Sequence, residues 1–370
     1  MKIVIFTHYF YPHVGGIESV VENHAKRLAE RGHDITIVTS DIDSDSRKDS
    51  RDGYTVVRYS AMNLLEDLGV PYPIPNPVNC IRVTRNVVDD NTDVLHVHGL
   101  NYLTSLLPLL ALRRREIPTL LHQHTPFVDY SPIVNSVERL NDAIVGRLVL
   151  NQADHCIAVS QNIADYLEEL GADRTDVLYN GVDVDRFSPN IAETLDEVLY
   201  VGRLTQKKGI DRLLQTVKVL ENYGHDSSVR VVGKGDLTKE VREMADSSEI
   251  LEFEGFVESE RLPQLYSQAS ALIVPDQTGD ALPTLTILES LASGTPPILV
   301  EDKQLPEVFT ENENYLKAQP EPESIANAIQ RLSRSPELRE ATAQYSRKTA
   351  EESFNWGSKI DQLESLYQNI

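Results

Sequence analysis

Residues 2–7 form a short, almost unbroken apolar run, the pattern of a strand covered on both faces in a parallel sheet. After the loop HYFYPHVGGIES, Val20, Val21, His24 and Leu28 recur at helical spacing. Gly32 closes that helix, and DITIVT at 34–39 supplies the next strand. The alternation returns with strands at 55–57, 94–97, 119–122 and 156–159 and helical patterns over 134–150 and 162–170. It restarts at Val198, where VLYVGRL runs into a helix over 209–223, followed by strands at 229–232, 251–253, 272–274 and 297–300. Strands and helices alternating at these lengths predict an α/β chain of doubly wound parallel sheets. The segment YNGVDVDRFSPNIAETLDE is rich in turn residues and reads as a linker, which gives two Rossmann-like domains, 1–185 and 186–354, facing a central cleft.

The length fits that division, since 370 residues is more than twice the usual ~150-residue domain. Charge changes the picture more. The formal net charge is −22, from 57 acidic and 35 basic residues, and only 12 of the basic residues are lysines. The basic stripe that a nucleic-acid partner requires is absent. Two readings of the acidity remain open: an acidic bacterial enzyme, or a carboxylate-dense surface suited to a salt-accumulating cytoplasm. Cys80 and Cys156 lie in no CxxC or His-rich cluster and read as reduced core residues of a cytosolic protein. The first residues lack the basic n-region of a signal peptide. The longest apolar stretch, 103–112, falls far short of the ~20 residues that span a bilayer. The expected location is the cytoplasm.

In open parallel sheets ligands bind beyond the carboxyl ends of the strands, so residues following each strand are the candidates for chemistry. Gly15-Gly16 precedes the first helix and either opens backbone amides to an anion or makes a tight turn. Gly202-Arg203 follows a strand and Lys207-Lys208-Gly209 opens the next helix, a pairing of planar fork and point charge that suits a diphosphate. Gly233-Lys234-Gly235 is a second glycine-rich strand end; neither a Walker motif nor GxGxxG is present. In DALPTLTILESLASGTPPI, Glu289 lies on an otherwise apolar helix, where its carboxylate can accept both hydroxyls of a ribose. Its alternative is an exposed helix residue. The pairs His96/His98 and His122/His124 each point one way from a strand and lack Asp, Glu or Cys neighbours. They suggest one strand-end histidine lining a cleft, with His96 and His122 as core residues, rather than a metal centre.

These residues also make up a pattern that resembles the retaining GT-B glycosyltransferases of the "glycosyltransferase group 1" or family-4 set. It runs through YPHVGGIESVVENHAKRLAERGHDITIVT, DVLHVHG, HQHT, ADHCIAVS, YNGVDVDRFSP, VGRLTQKKGIDRLL, VRVVGKGD, FEGFV and LESLASGTPPI, across almost the whole chain. The resemblance implies transfer of a hexose-type sugar from a nucleotide-sugar donor, with retention and without a metal or other cofactor. It places Arg203 and Lys208 on the diphosphate, Glu289 on the ribose, Phe256 and Val257 near the base, and His124 by the transferred sugar. Gly15, Gly16, Gly202, Gly233, Thr284 and Leu285 complete the donor site. It also implies that the last helix, 355–370, packs back on the first domain.

One position departs from the family. The first of its two glutamates falls at Ala281, with Asp280 one residue further from Glu289. Either Asp280 substitutes through a one-residue bulge, or the sugar contact is lost and the chain is a nucleotide-sugar-binding homologue without turnover. A GT-B-like epimerase, the third reading, wants a carboxylate set that is not found. On the acceptor side stand His98, Arg113, Arg114 and the proline-rich 71–79, for a glycan or a polyprenyl- or dolichyl-type lipid-linked acceptor. The apolar helix running into Arg113–Arg115 is either a core helix whose basic end complements its dipole or a peripheral contact with a membrane face.

Overall fold

The computed structural model describes every residue except 14, 64–71, 127–131, 190–195, 225–226, 277–280 and 301–304, and the side chains of 132–135. The chain divides into two compact units, Met1–Tyr179 with Lys359–Ile370, and Asn180–Ser358.

The first unit carries β1 (Lys2–Phe6), β2 (Asp34–Ser40), β3 (Lys48–Arg51), β4 (Tyr54–Tyr59), β5 (Ala61–Met62), β6 (Ile74–Pro75), β7 (Val94–His98), β8 (Thr119–Gln123), β9 (His155–Ala158) and β10 (Thr175–Val177). Eight of them form one sheet in the order β10-β9-β8-β7-β1-β2-β4-β3, parallel throughout except at the β3–β4 edge. The order runs outward both ways from β1 and β7, which makes their carboxyl ends the switch point. The helices are α1 (Gly16–Glu30), α2 (Pro77–Val87), α3 (Leu103–Leu112), α4 (Pro132–Asn141), α5 (Arg147–Leu150) and α6 (Gln161–Leu170). Where the pattern predicts one helix over 134–150, a π-turn at Asp142–Gly146 interrupts it between α4 and α5.

The second unit has an all-parallel sheet of β11 (Glu197–Val201), β12 (Ser228–Val232), β13 (Leu251–Gly255), β14 (Ala271–Val274), β15 (Pro297–Leu299) and β16 (Leu316–Lys317), in the order β13-β12-β11-β14-β15-β16. Its switch point lies between β11 and β14. Around it run α7 (Ile210–Asn222), α8 (Thr238–Ala245), α9 (Leu262–Gln268), α10 (Leu285–Ala292), α11 (Pro322–Arg334) and α12 (Pro336–Ser353), with α13 (Trp356–Asn369) closing the chain. Ile210, Leu213, Val217 and Leu220 of α7 are fully buried against Val229 and Val231 of β12 and Ile325 and Ile329 of α11.

One core of the first unit joins both ends of the chain. Ile3 and Ile5 of β1, Val94 of β7 and Leu120 of β8 pack with Val21, Ala25 and Leu28 of α1 and with Ile360, Leu363 and Tyr367 of α13. No helix among the described residues is long and apolar enough to cross a membrane.

Candidate functional site

The second unit's switch point is built by close backbone contacts. Gly209 caps α7 with φ +68°, and a Cβ there would lie 1.9 Å from the Pro275 carbonyl oxygen, so the helix start can approach the end of β14 only without a side chain. Gly233 follows β12 with φ +141°, and its Cβ would lie 1.9 Å from the Gly202 carbonyl oxygen. Gly202 N–H donates to the Val232 carbonyl at 3.0 Å and Gly233 N–H to that of Gly255 at 2.8 Å, so three neighbouring strands end on glycines stitched side by side. Tyr200 Oη donates to the Arg203 carbonyl at 2.9 Å, fixing the backbone from which the exposed Arg203 side chain projects.

Lys208 is partly buried and already has a partner. Its Nζ lies 2.8 Å from Oδ2 of Asp276, a residue 8% exposed just beyond β14. Arg212 Nη1 donates to the carbonyls of Pro275 at 2.8 Å and Asp276 at 3.4 Å and so holds that segment in place. The sequence pattern did not single out Asp276; its position directly after an apolar strand was the available signal.

Thr284, rather than Pro283, caps α10, and its hydroxyl accepts the Ile287 N–H at 3.4 Å. Leu285 begins the helix and Glu289 lies one turn in. Tyr266 Oη, on a fully buried side chain, donates to Glu289 Oε2 at 2.9 Å. Burial pushes the Glu289 carboxyl up to about 7, against the opposing pull of the Tyr266 hydrogen bond and the Arg186 charge. Phe256, 56% exposed beyond β13, receives Lys234 Nζ 5.0 Å from its ring centroid; Val257 beside it is half-buried. Ala281 stands in the turn before α10, while Asp280 lies outside the described residues.

In the first unit, the start of α1 has an acid of its own, whose carboxyl is raised above the ordinary range by burial. A Cβ on Gly15 would lie 2.3 Å from Glu18 Oε2, and Glu18, 8% exposed, bonds its own backbone N–H. Gly15 therefore faces the Glu18 carboxyl group of its own helix, which the open anion site read from the sequence did not include.

His98 and His124 are both buried, with His98 Nδ1 2.7 Å from His124 Nε2. His96 and His122 are core residues, 0% and 1% exposed. The two same-face pairs come together, a clustering that the spacing within each strand did not reveal. β7 and β8 are in register at His98 and His122, and α1 adds His24 over the same face.

At this switch point His8 stacks on Tyr102 at 4.0 Å between ring centroids, and Tyr72, from the proline-rich segment, stacks on Tyr102 at 5.3 Å. The sequence pattern gave no sign of this aromatic row. Arg113 and Arg114 are exposed just past α3. Leu106, Leu109 and Leu112 of that helix are buried, as a core helix requires, with Leu110 left at the surface.

Two family profiles cover nearly the whole chain end to end: the one described as Glycosyltransferase Family 4 matches residues 14–186, and the one described as Glycosyl transferases group 1 matches residues 182–349. An uncharacterized glycosyltransferase of Methanocaldococcus jannaschii is 23% identical over 100% of this chain and 99% of its own length. A phosphatidyl-myo-inositol mannosyltransferase of Mycobacterium leprae is 25% identical over 100% and 97%. Among solved structures, sucrose-phosphate synthase from Thermosynechococcus elongatus aligns with a TM-score of 0.79 at 20% identity, covering 100% of this chain and 98% of that one. Anabaena HepE, solved in complex with UDP, aligns with a TM-score of 0.76 at 17% identity over the full length of both chains. Two consecutive profiles of one enzyme class, and two Rossmann-like sheets of which the second has basic and glycine-lined strand ends, converge on one assignment: the chain belongs to the group 1 glycosyltransferases, transferase enzymes of the GT-B fold.

Proposed function

We propose that the protein is a retaining, metal-independent glycosyltransferase, with its second unit binding a nucleoside-diphosphate sugar and its first unit receiving a glycan or lipid-linked acceptor. The observation that carries this reading is the pair of cations at the β11–β14 switch point, Arg203 with its guanidinium in solvent and Lys208 beside the start of α7. A diphosphate arriving there meets a planar fork, a point charge and helix amides together. Glu289 takes the ribose diol, Phe256 and Val257 border the base, and Gly202, Gly233, Thr284 and Leu285 allow close backbone approach.

In the transfer step the bond between the anomeric carbon and the diphosphate oxygen breaks, and the acceptor hydroxyl oxygen bonds to that carbon from the same face. The acceptor's proton passes to the departing phosphate oxygen. Arg203 and Lys208 stabilise the charge that grows on the diphosphate, which is the work a metal does elsewhere. His124 is the candidate contact for the transferred sugar, and Asp280 for the role of the family's first glutamate. On the first unit, His98, Arg113 and Arg114 stand on the acceptor side, and the rings of Tyr72, Tyr102 and His8 offer apolar faces to a sugar. The HepE complex with UDP supports a uridine donor as the first to try, and the mycobacterial relative's name supports a lipid-linked acceptor.

The test is donor-dependent release of nucleoside diphosphate from a panel of UDP-, GDP- and ADP-sugars, in low and in molar salt. Slow hydrolysis of one donor, abolished in Arg203→Ala, is the expected result. Tight donor binding without release, lipid extract included, would instead establish the binding homologue that Ala281 suggests.

A further inference from the structure

The face of the first sheet that α1 covers changes character along its length. On β7 the residues pointing that way are Val94, His96 and His98, and on β8 they are Leu120 and His122, so aliphatic side chains give way to imidazoles toward the carboxyl ends. α1 lays His24 over them. Its ring centroid is 5.8 Å from that of His96, 6.0 Å from His98 and 5.6 Å from His122. All four side chains are at most 2% exposed.

We propose that the first unit binds one late first-row transition-metal ion, zinc(II) in the first instance, on the imidazole nitrogens of His24, His96, His98 and His122. One nitrogen from each lies within 4.8 Å of the other three. Tetrahedral coordination at ~2.0–2.1 Å brings ligand nitrogens to ~3.3 Å from one another. The nitrogens thus need to close by roughly 1.5 Å to reach that geometry.

The hydrogen bonding of the cluster points the same way. His96 Nδ1 pairs with Tyr367 Oη at 2.7 Å and His98 Nδ1 with His124 Nε2 at 2.7 Å, while among the described residues the Nε2 of each has no hydrogen-bond partner although it is buried. Neither ring nitrogen of His122 has one. Buried polar atoms are nearly always paired. A histidine ligand uses one nitrogen for the metal and donates from the other to an outer group, and His96 and His98 fit that division in the tautomer with the proton on Nδ1. Tyr367 and His124 are then positioning residues that fix the two tautomers.

Four neutral nitrogen ligands select copper, zinc, nickel or cobalt over magnesium or manganese. They leave the ion's charge uncompensated, so the affinity should be moderate. The ion would tie α1 to β7 and β8; it is not part of the donor site proposed for the second unit but shares His98, and through the His98–His124 hydrogen bond His124, with the acceptor side proposed for the first.

The test uses the full-length chain without a histidine tag, stripped by chelator and dialysed against Zn²⁺ or Co²⁺. One ion retained per chain is expected, with the strong visible absorption of four-coordinate cobalt and no competition from Mg²⁺. His24→Leu should weaken binding about 100-fold or more and Tyr367→Phe several-fold, whereas His13→Ala, outside the cluster, leaves it unchanged. Zinc should raise the thermal midpoint of the wild type and not of His24→Leu. X-ray absorption of the zinc-loaded wild type needs no variant and should show a nitrogen-only shell with imidazole scattering. An oxygen-rich shell, substoichiometric metal, or equal binding by His24→Leu would overturn the proposal.

Discussion

Glu289 combines two demands that set a pH signature. Its carboxyl is held at about 7 in the folded chain against 4.5 ordinarily, so between those values the folded chain keeps a proton that the unfolded chain has released. Its contribution to stability is therefore complete below pH 4.5 and lost as the pH rises toward 7. A ribose diol wants the opposite, the ionised form with both oxygens accepting. Nucleoside diphosphate should thus bind about tenfold more weakly at pH 6 than at pH 8. Glu289→Gln should weaken binding at pH 8 and remove the pH dependence; calorimetric titration at both values checks this, and an unchanged dependence in the variant would assign the proton to another group. Lys208 calls for a pair of variants, because Asp276 is 8% exposed and ion-paired to it. Lys208→Met alone should cost about 2 kcal/mol, less than the ~3–5 of a fully buried pair, since part of the lysine is in solvent. Adding Asp276→Asn should restore the denaturation midpoint without restoring donor affinity, which separates the lysine's structural role from its ligand role. Residue by residue, Gly202, Arg203 and Glu289 stood out as candidates because each follows an apolar run or interrupts an apolar helix, and Lys208 because it lies at the start of the next helix. Tyr266 and Asp276 were not, because an aromatic in a short helix reads as core and a single acid in a loop has no periodicity.

At the scale of elements, most of the parallel strands were legible because both of their faces are buried, and the observed bounds fall within a residue or two of the apolar runs; the parallel edge strands β10 and β16, only three and two residues long, were missed. β3 was not, because KDSR lies at the sheet edge with most of its residues in solvent and shows no apolar alternation. Its one signal is Asp52-Gly53, whose φ values of +45° and +84° make the tight turn into β4. The π-turn within the predicted 134–150 helix leaves no mark on a 3.6-residue pattern either. The strand-end glycines matter as joints between elements, and Gly233 is the severe case. Gly233→Ala would drive a methyl into the Gly202 carbonyl and part the β11 and β12 loops, so a loss of about 3 kcal/mol together with donor binding is expected. Gly224 ends α7 with φ +64° and has open space where a methyl would stand, so Gly224→Ala should cost only about 1 kcal/mol and spare binding. Urea midpoints of the two variants, measured side by side, separate backbone strain from steric collision; equal losses would mean that the Gly202–Gly233 contact relaxes freely.

For the whole molecule, the chain leaves its first unit at Tyr179 and returns to it at Lys359, so the stability of that unit depends on the last dozen residues. Ile360, Leu363 and Tyr367 are at most 3% exposed in the core that also holds Ile3, Ile5 and Leu28. Burying each is worth ~1.5–3 kcal/mol, together ~5–9 as an upper bound, which is comparable with the ~5–15 kcal/mol of a whole domain. Removal also costs His96 its Tyr367 hydrogen bond inside the sheet's histidine cluster. The ion pairs of Arg31 with Asp361 and Glu364 add little by comparison, since Asp361 is largely in solvent and Arg31 about a third exposed. A chain ending at Ser358 should therefore keep the second unit folded and able to bind nucleoside diphosphate, while the first unit becomes open to protease. Limited proteolysis should then leave a resistant fragment beginning near residue 180, absent from digests of the intact chain under the same conditions. Equal resistance of both units would show that α13 only covers a first unit already stable by itself. Loss of both together would show that the two cores fold as one cooperative block.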